Sequence, residues 1–257
     1  MRIVSLVPSL TELVFDLGLG DSLLGVTRFC VHPAEGVRGI EKVGGTKTPK
    51  LERIAELQPD LVLLNVEENR VEDVEVLRAT GLNCHVSFPK TAVETAGMVR
   101  SIGEAAGRPE EAERIARAIE ETASQVREGS KGLLPVRYAY LIWRDPLMSV
   151  SGDTFISDLL RLPGGENVFA DRPKRYPVVE AEELAAAAPH AVLLSTEPFP
   201  FQEKHVDEVS RATGLAPEIF HIVDGEMLSW HGSRTPAGID YAAKVIGRVR
   251  AQTESHG

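Results

Sequence analysis

The chain has no apolar run long enough to cross a bilayer. Stretches such as Leu61 to Leu64 and Leu184 to Ala188 fall far short of the roughly 20 residues that a spanning helix needs, so no transmembrane segment is expected. Positive charge is also in short supply, with 28 Lys and Arg against 38 Asp and Glu and a formal net charge of −10. Without a basic stripe to displace counterions, nucleic acid is not an expected partner. Cysteine is scarce: Cys30 and Cys84 make no disulfide framework and are compatible with free thiols in a reducing compartment.

Enzyme signatures are missing too. Gly18, Gly20 and Gly25 lack the dinucleotide-binding spacing and follow a helix instead of opening one. "GGTKT" at Gly44 lacks the upstream glycine of a phosphate loop. "SFPK" at Ser87 has the spacing of a Ser-x-x-Lys motif without its companions, and Pro89 disfavours a helical turn there. No paired-carboxylate or triad arrangement stands out, so the chain reads as a non-enzyme with no required cofactor. No export signal precedes the opening "MRIVSLVPSLTELVFDLGLG". The sequence as it stands is expected to be cytoplasmic, and periplasmic or extracellular if its start is a trimmed one.

What is present is the composition of an ordinary globular chain, 43% hydrophobic and 26% charged over 257 residues, enough for one or two domains. Residues 2 to 7 read as a buried strand stopped by Pro8, and Ser9 with Glu12 reads as a capping box for a helix to about Leu17. Two segments resemble each other, "LERIAELQPDLVLL" from Leu51 and "AEELAAAAPHAVLL" from Ala181. In each, a helix ends before a proline, Pro59 or Pro189, and an apolar strand follows, Leu61 to Leu64 or Ala191 to Leu194. Ahead of each copy, a strand leads into a helix: Ile3 to Val7 into Leu10 to Leu17, and Val136 to Trp143 into Thr154 to Leu162. Alternation of this kind predicts α/β architecture with two Rossmann-like lobes and mainly parallel sheets.

Between the copies lies "RPEEAERIARAIEETASQVREGSKG", with Pro109 and three glutamates at its start and glycines at its end. Ala112, Ile115, Ala116, Ile119, Ala123 and Val126 recur every three or four residues and predict one buried stripe. A helix of about 20 residues spans about 30 Å, enough to connect two lobes. The expected organisation is an N-terminal lobe over residues 1–106, a connecting backbone helix over 107–131 and a C-terminal lobe over 132–257.

Ligands of α/β sheets sit outside the carboxyl ends of the strands. Polar and aromatic clusters follow the expected strands: "TRFCVHP", "NVEENR" and "WRDP", with "SWHGSRTP" nearer the C-terminus. They nominate Arg28, Phe29, Glu67, Arg70, Trp143, Arg144, Tyr176, Trp230, His231 and Arg234 for binding a ligand with anionic groups through guanidinium forks and ring faces. Cys30, His32 and His231 are the metal-ligand candidates. Each has an ordinary alternative: a chance Cys-x-His, a loop-capping histidine, tryptophans that pack a core, glutamates that are solvated. Cys84 and His85 lie in the alternating strand "LNCHVSF" and are assigned no function.

"MSVSGDTFISDLLRLPGGENVFAD", "LERIAELQPDLVLL" and "RIVSLVPSLTEL" together resemble the cobalamin- and ferric-siderophore-type periplasmic binding proteins of ABC importers, cobalamin branch. The resemblance spans nearly the whole chain, including the Gly164-Gly165-Glu166-Asn167 turn and the closing "SW...TP" segment. It implies a cleft between two helix-joined lobes that holds a metal-containing small molecule, lined by Pro8, Ser9 and the loops named above. It implies a permease partner docked through acidic residues, for which Glu68 or Glu72 and Glu203 are the counterparts. An aromatic content of 5%, with both tryptophans in the second half, raises a ferric chelate or haem alongside a corrinoid. The alternative function is an intracellular metallochaperone or chelatase-like enzyme, centred on Cys30, His32 and His231.

Overall fold

The structure is a computed structural model that describes residues 1–256. Met1–Pro89, Val93–Glu120 and His231–Thr235 make one compact unit; Lys90–Ala92, Glu121–Trp230 and the chain from Pro236 make a second. The first contains β1 (Ile3–Ser5), α1 (Pro8–Asp16), β2 (Leu23–Val26), α2 (Ala34–Val37), β3 (Glu41–Lys42), α3 (Leu51–Glu56), β4 (Leu61–Asn65), α4 (Val71–Ala79) and β5 (Cys84–Ser87), followed by α5 (Ala92–Ala105). Its sheet runs β3-β2-β1-β4-β5 and all its strand pairs are parallel. Every residue of β1 and β4 is buried, which is why both read as unbroken apolar runs. Strand order reverses between β1 and β4, so this unit's topological switch point opens between the Leu6–Val7 link into α1 and the loop Val66–Arg70.

Next comes α6 (Pro109–Gly129), and then the second unit with β6 (Val136–Arg144), β7 (Leu147–Ser149), α7 (Phe155–Arg161), β8 (Gly165–Asn167), α8 (Ala181–Ala186), β9 (Ala191–Ser195), α9 (Glu203–Thr213), β10 (Phe220–Val223), α10 (Gly225–Ser229) and α11 (Thr235–His256). Strands order as β10-β9-β6-β7, with β8 also on β6, and only the β6–β7 hairpin is antiparallel. Here the order reverses between β6 and β9, as it does between β1 and β4. Each lobe thus has the expected α/β architecture with a largely parallel sheet.

The repeat legible in the sequence extends to backbone detail. Gln58 and Ala188, each just before the proline, have positive φ of 45° and 44°, an uncommon conformation for residues other than glycine. In the first copy Arg2 donates from its backbone N–H to Asp60 Oδ2 (2.7 Å) and from its guanidinium to the Leu57 carbonyl (2.6 Å). In the second, the Arg137 N–H donates to His190 Nδ1 (3.2 Å) and its guanidinium to the Ala187 carbonyl (2.5 Å). An arginine at the start of one strand thus satisfies a carbonyl left open at the end of the helix that leads into the neighbouring strand, in both lobes.

One expectation needs correction. The capping box at Ser9 and Glu12 is absent: α1 begins at Pro8, with extended Val7 as an N-cap that makes no side-chain cap bond. Proline at the first helical position has the required φ and lacks an N–H to satisfy, so the helix starts one step earlier. The expected connecting segment 107–131 contains α6, whose contacts divide it, Pro109–Glu120 with the first unit and Glu121–Gly129 with the second. Its predicted stripe is otherwise present: Ala112, Ile115, Ala116, Ile119 and Ala123 are buried, with Val126 half-buried. Gly103 on α5 faces Ala112 so closely that a Cβ would overlap it, which lets α5 and α6 approach. Across their exposed side, Arg100 binds Glu113 and Glu120 at 2.6 Å each, and Arg100, then Arg117, hold the Glu113 carboxyl down to about 2.

Candidate functional site

The carboxyl edge of the first lobe is built on amide side chains. Asn65 ends β4, where its Oδ1 accepts the Glu67 N–H (2.8 Å) and its Nδ2 reaches Ser87 Oγ (3.3 Å) and His231 Nε2 (3.3 Å). Asn69 Oδ1 accepts the Asn65 N–H (2.9 Å), and its Nδ2 donates to the carbonyls of Thr46 (3.0 Å) and Leu6 (3.3 Å). Two asparagines thus tie together the loops after β1, β3 and β4 at the switch point. His231 is 8% exposed, and burial pushes its pKa down to about 4, so the ring is neutral and its Nε2 accepts from the Asn65 amide. Ser9 is also buried on this edge.

The predicted arginines separate here. Arg70 forks onto the buried Asp73 (2.7 and 3.1 Å), and Arg234 forks onto Glu12 (2.8 and 2.9 Å). In the second lobe Arg144 pairs with Glu208 at 3.0 Å. Arg28 alone of the four has no carboxylate partner among the described residues; its guanidinium lies 4.8 Å from the Phe29 ring centroid and against Gly45. Arg70, Arg144 and Arg234, expected to hold a ligand's acidic groups, each have a carboxylate of this chain within one fork's reach. Pairing of Arg234 with Glu12, at side-chain exposures of 15% and 21%, is well shielded. A double-mutant cycle on Arg234→Met and Glu12→Gln is expected to give a coupling of about 1–2 kcal/mol by urea unfolding, whereas a value near zero would show the pair to be solvated.

Metal-ligand candidates are not assembled into a site. The Cys30 thiol is buried between the hydroxyls of Thr11 (3.1 Å) and Thr27 (3.2 Å), and burial raises its pKa. Among the described residues no group of three or more His, Cys, Asp or Glu side chains can hold a metal ion, so Cys30, His32 and His231 do not form one. Glu67 and Glu68 are half-buried; burial raises the Glu68 carboxyl, with Lys47 opposing, while the Lys47 amine donates to the Glu67 carbonyl (2.5 Å). Glu72 and Glu203 are exposed, each in a helix's first turn.

Rings dominate the corresponding edge of the second lobe. Trp143, at the end of β6 and 40% exposed, meets Phe199 edge to face at 5.7 Å, and Phe199 meets Phe201 (4.8 Å) and His205 (5.1 Å). His205 is fixed by its helix cap, Nδ1 accepting the Gln202 N–H at 2.9 Å. Trp230 is buried and donates from Nε1 to Glu197 (3.0 Å), whose own N–H donates to Ser195 Oγ (3.2 Å), and Ser195 in turn accepts from the Tyr140 hydroxyl (2.9 Å). Tyr176 is half-buried beside Arg175, which with Lys90 binds Asp153 (2.7 and 3.0 Å); these two cations, Lys90 first, lower the Asp153 pKa.

Sequence reasoning passed over Asn65, Asn69, Ser195, Glu197 and Phe199. For Asn65 and Ser195 a signal was available: each is the polar residue that ends an otherwise apolar strand, and each accepts the N–H two residues on.

Two parallel-sheet lobes with polar and aromatic loops at their carboxyl edges define a class of binding protein, and comparison with known proteins agrees. Residues 3–216 match the family model described as periplasmic binding protein. The chain belongs to that family. It is 31% identical over 194 residues to a vitamin B12-binding protein of Vibrio parahaemolyticus, covering 76% of this chain and 70% of that one. With a vitamin B12-binding protein of Vibrio vulnificus the identity is 29% over 248 residues, 96% of this chain and 90% of the other. Among solved structures, the periplasmic vitamin B12 binding protein BtuF of Vibrio cholerae superimposes with a TM-score of 0.83 at 23% identity, covering 97% of each chain. The periplasmic heme-binding protein RhuT of Roseiflexus sp. RS-1 superimposes with 0.84 at 23% identity, covering 97% of this chain and 98% of its own. At that identity the likeness establishes the fold. No helix among the described residues is long and apolar enough to cross a membrane.

Proposed function

We infer that this protein binds a metal-containing small molecule, a corrinoid first and haem or a ferric siderophore next, as the substrate-binding component of an importer. The observation that supports this best is the exposed Trp143 packed on half-buried Phe199 at a strand carboxyl edge, a ring surface suited to a flat macrocycle. Arg28 over Phe29 supplies, on the other lobe, an unpaired guanidinium for an anionic or amide group. Vitamin B12-binding relatives over most of the chain support the corrinoid, and the heme-binding structural neighbour supports the second choice. The metallochaperone or chelatase alternative loses support with its proposed ligands, since Cys30 is sealed by two threonines. The family's description supports a location outside the cytoplasmic membrane over the cytoplasmic one expected from the sequence alone.

Glu72 and Glu203 are the better candidates for meeting a permease, because they open α4 and α9, helices that follow equivalent strands in the two lobes, and both are exposed. Glu68, half-buried, is the weaker one.

Titration of the purified protein with aquocobalamin, haem and a ferric siderophore tests the reading, followed by visible absorption and by the fluorescence of its two tryptophans. Corrinoid binding at micromolar concentration or tighter is expected, weakened about ten-fold or more by Trp143→Ala and by Arg28→Ala. Saturation by haem or siderophore alone would replace the ligand, and silence from all three would overturn the reading.

A further inference from the structure

Away from the carboxyl edges, edge strand β10 and helix α11 enclose a groove of about 100 Å³, lined by His221, Tyr241, Lys244 and Arg248 and floored by aliphatic side chains such as Ile222 and Val245. None of its lining residues is acidic, although acids outnumber bases in the whole chain. Lys244 and Arg248 stand one helical turn apart, both exposed, and neither has a carboxylate partner among the described residues. Like charges at that spacing repel, so the pair is not there to support the helix.

His221 adds an independent observation. Its Nε2 is enclosed and has no hydrogen-bond partner, an exception among buried polar atoms. Burial, and then Arg248, lower its pKa, which keeps the ring neutral and able to donate from Nε2 as one tautomer. The Tyr241 hydroxyl accepts the Asp224 N–H (2.9 Å) and keeps its own proton to donate. Four donors, two of them cationic, thus line one small groove.

We propose that the groove between β10 and α11 is a binding site for a phosphate-class oxyanion. Lys244 and Arg248 neutralise its charge, Tyr241 donates a hydrogen bond, and a turn of the His221 ring brings its covered, unpartnered nitrogen to the anion. The anion's source is either free phosphate or the headgroup of an anionic phospholipid, and the proposal does not depend on the corrinoid reading.

Calorimetric titration with inorganic phosphate at low ionic strength and cosedimentation with phosphatidylglycerol vesicles test it, on the wild-type chain and on Lys244→Ala/Arg248→Ala. Both residues are exposed, so the variant is expected to fold, which far-UV dichroism and thermal unfolding check. The expected result is one saturable site that perturbs the His221 ring resonances and is weakened about ten-fold or more in the variant. Binding of phosphate identifies the free anion; binding of vesicles alone, lost in the variant, identifies the headgroup. Binding that survives the double substitution, or none to either probe, overturns the proposal.

Discussion

Gly44→Ala is expected to destabilise the first lobe by about 3 kcal/mol or more, read as a lower urea midpoint at unchanged slope. Gly44 has φ +107°, and a Cβ there would meet the Thr48 carbonyl oxygen at 2.5 Å and Pro49 Cα at 3.0 Å. Both obstacles are backbone, so neither yields by a rotamer change. The loop is held on both sides: the Arg28 N–H donates to the Gly44 carbonyl (2.9 Å), and the Thr46 carbonyl accepts from Asn69. Its displacement would therefore reach the carboxyl edge as well as the core. Gly18→Ala separates the causes, since Gly18 has φ +72° with nothing within 4 Å of a new Cβ. That substitution is expected to cost only about 1 kcal/mol, the price of left-handed backbone alone. Equal losses in the two variants would show that the close approach at Gly44 contributes nothing.

Acid is expected to weaken the fold through His231, by about 3 kcal/mol between pH 7 and pH 4. Its pKa is about 4 when folded, against about 6.5 in an unfolded chain. Between those values the unfolded state binds a proton that the folded state does not, so stability is fully present above about 6.5 and is lost as pH falls towards 4. His231→Gln keeps an acceptor for Asn65 and removes the titration. Urea unfolding of wild type and variant at a series of pH values should show a shallower acid loss in the variant by about that amount, and parallel curves would refute a buried neutral imidazole.

The differences between expected and observed sites follow one pattern. Local signals succeeded at the apolar runs of β4 and β9 and at the stripe of α6, and failed at the Ser9–Glu12 capping box, where Pro8 starts the helix instead. They also failed where a side chain's partner was distant in sequence. Arg234 reads as a free cation in "SWHGSRTP", and its actual partner, Glu12, lies more than 200 residues away and reads as the end of a capping box. Cys30 reads with His32 as a metal-ligand pair, yet Thr11 on another element encloses its thiol. Phe199 lies in a proline-flanked loop with no periodicity to mark it, and only the fold sets it against Trp143.

By itself, the sequence determined that this is an α/β protein with a twofold internal repeat and no apolar run as long as a membrane span, because those properties follow from hydrophobic period, proline placement and run length, each confined to a short window. Family membership was legible for the same reason, in contiguous motifs. Tertiary structure alone decided which charges remain available to a ligand and which are neutralised within the chain, that a histidine near the C-terminus is buried against a strand-end asparagine, and that three basic side chains from β10 and α11 share one groove. Burial and pairing depend on what lies across space, and no spacing along the chain encodes the distance between Glu12 and Arg234.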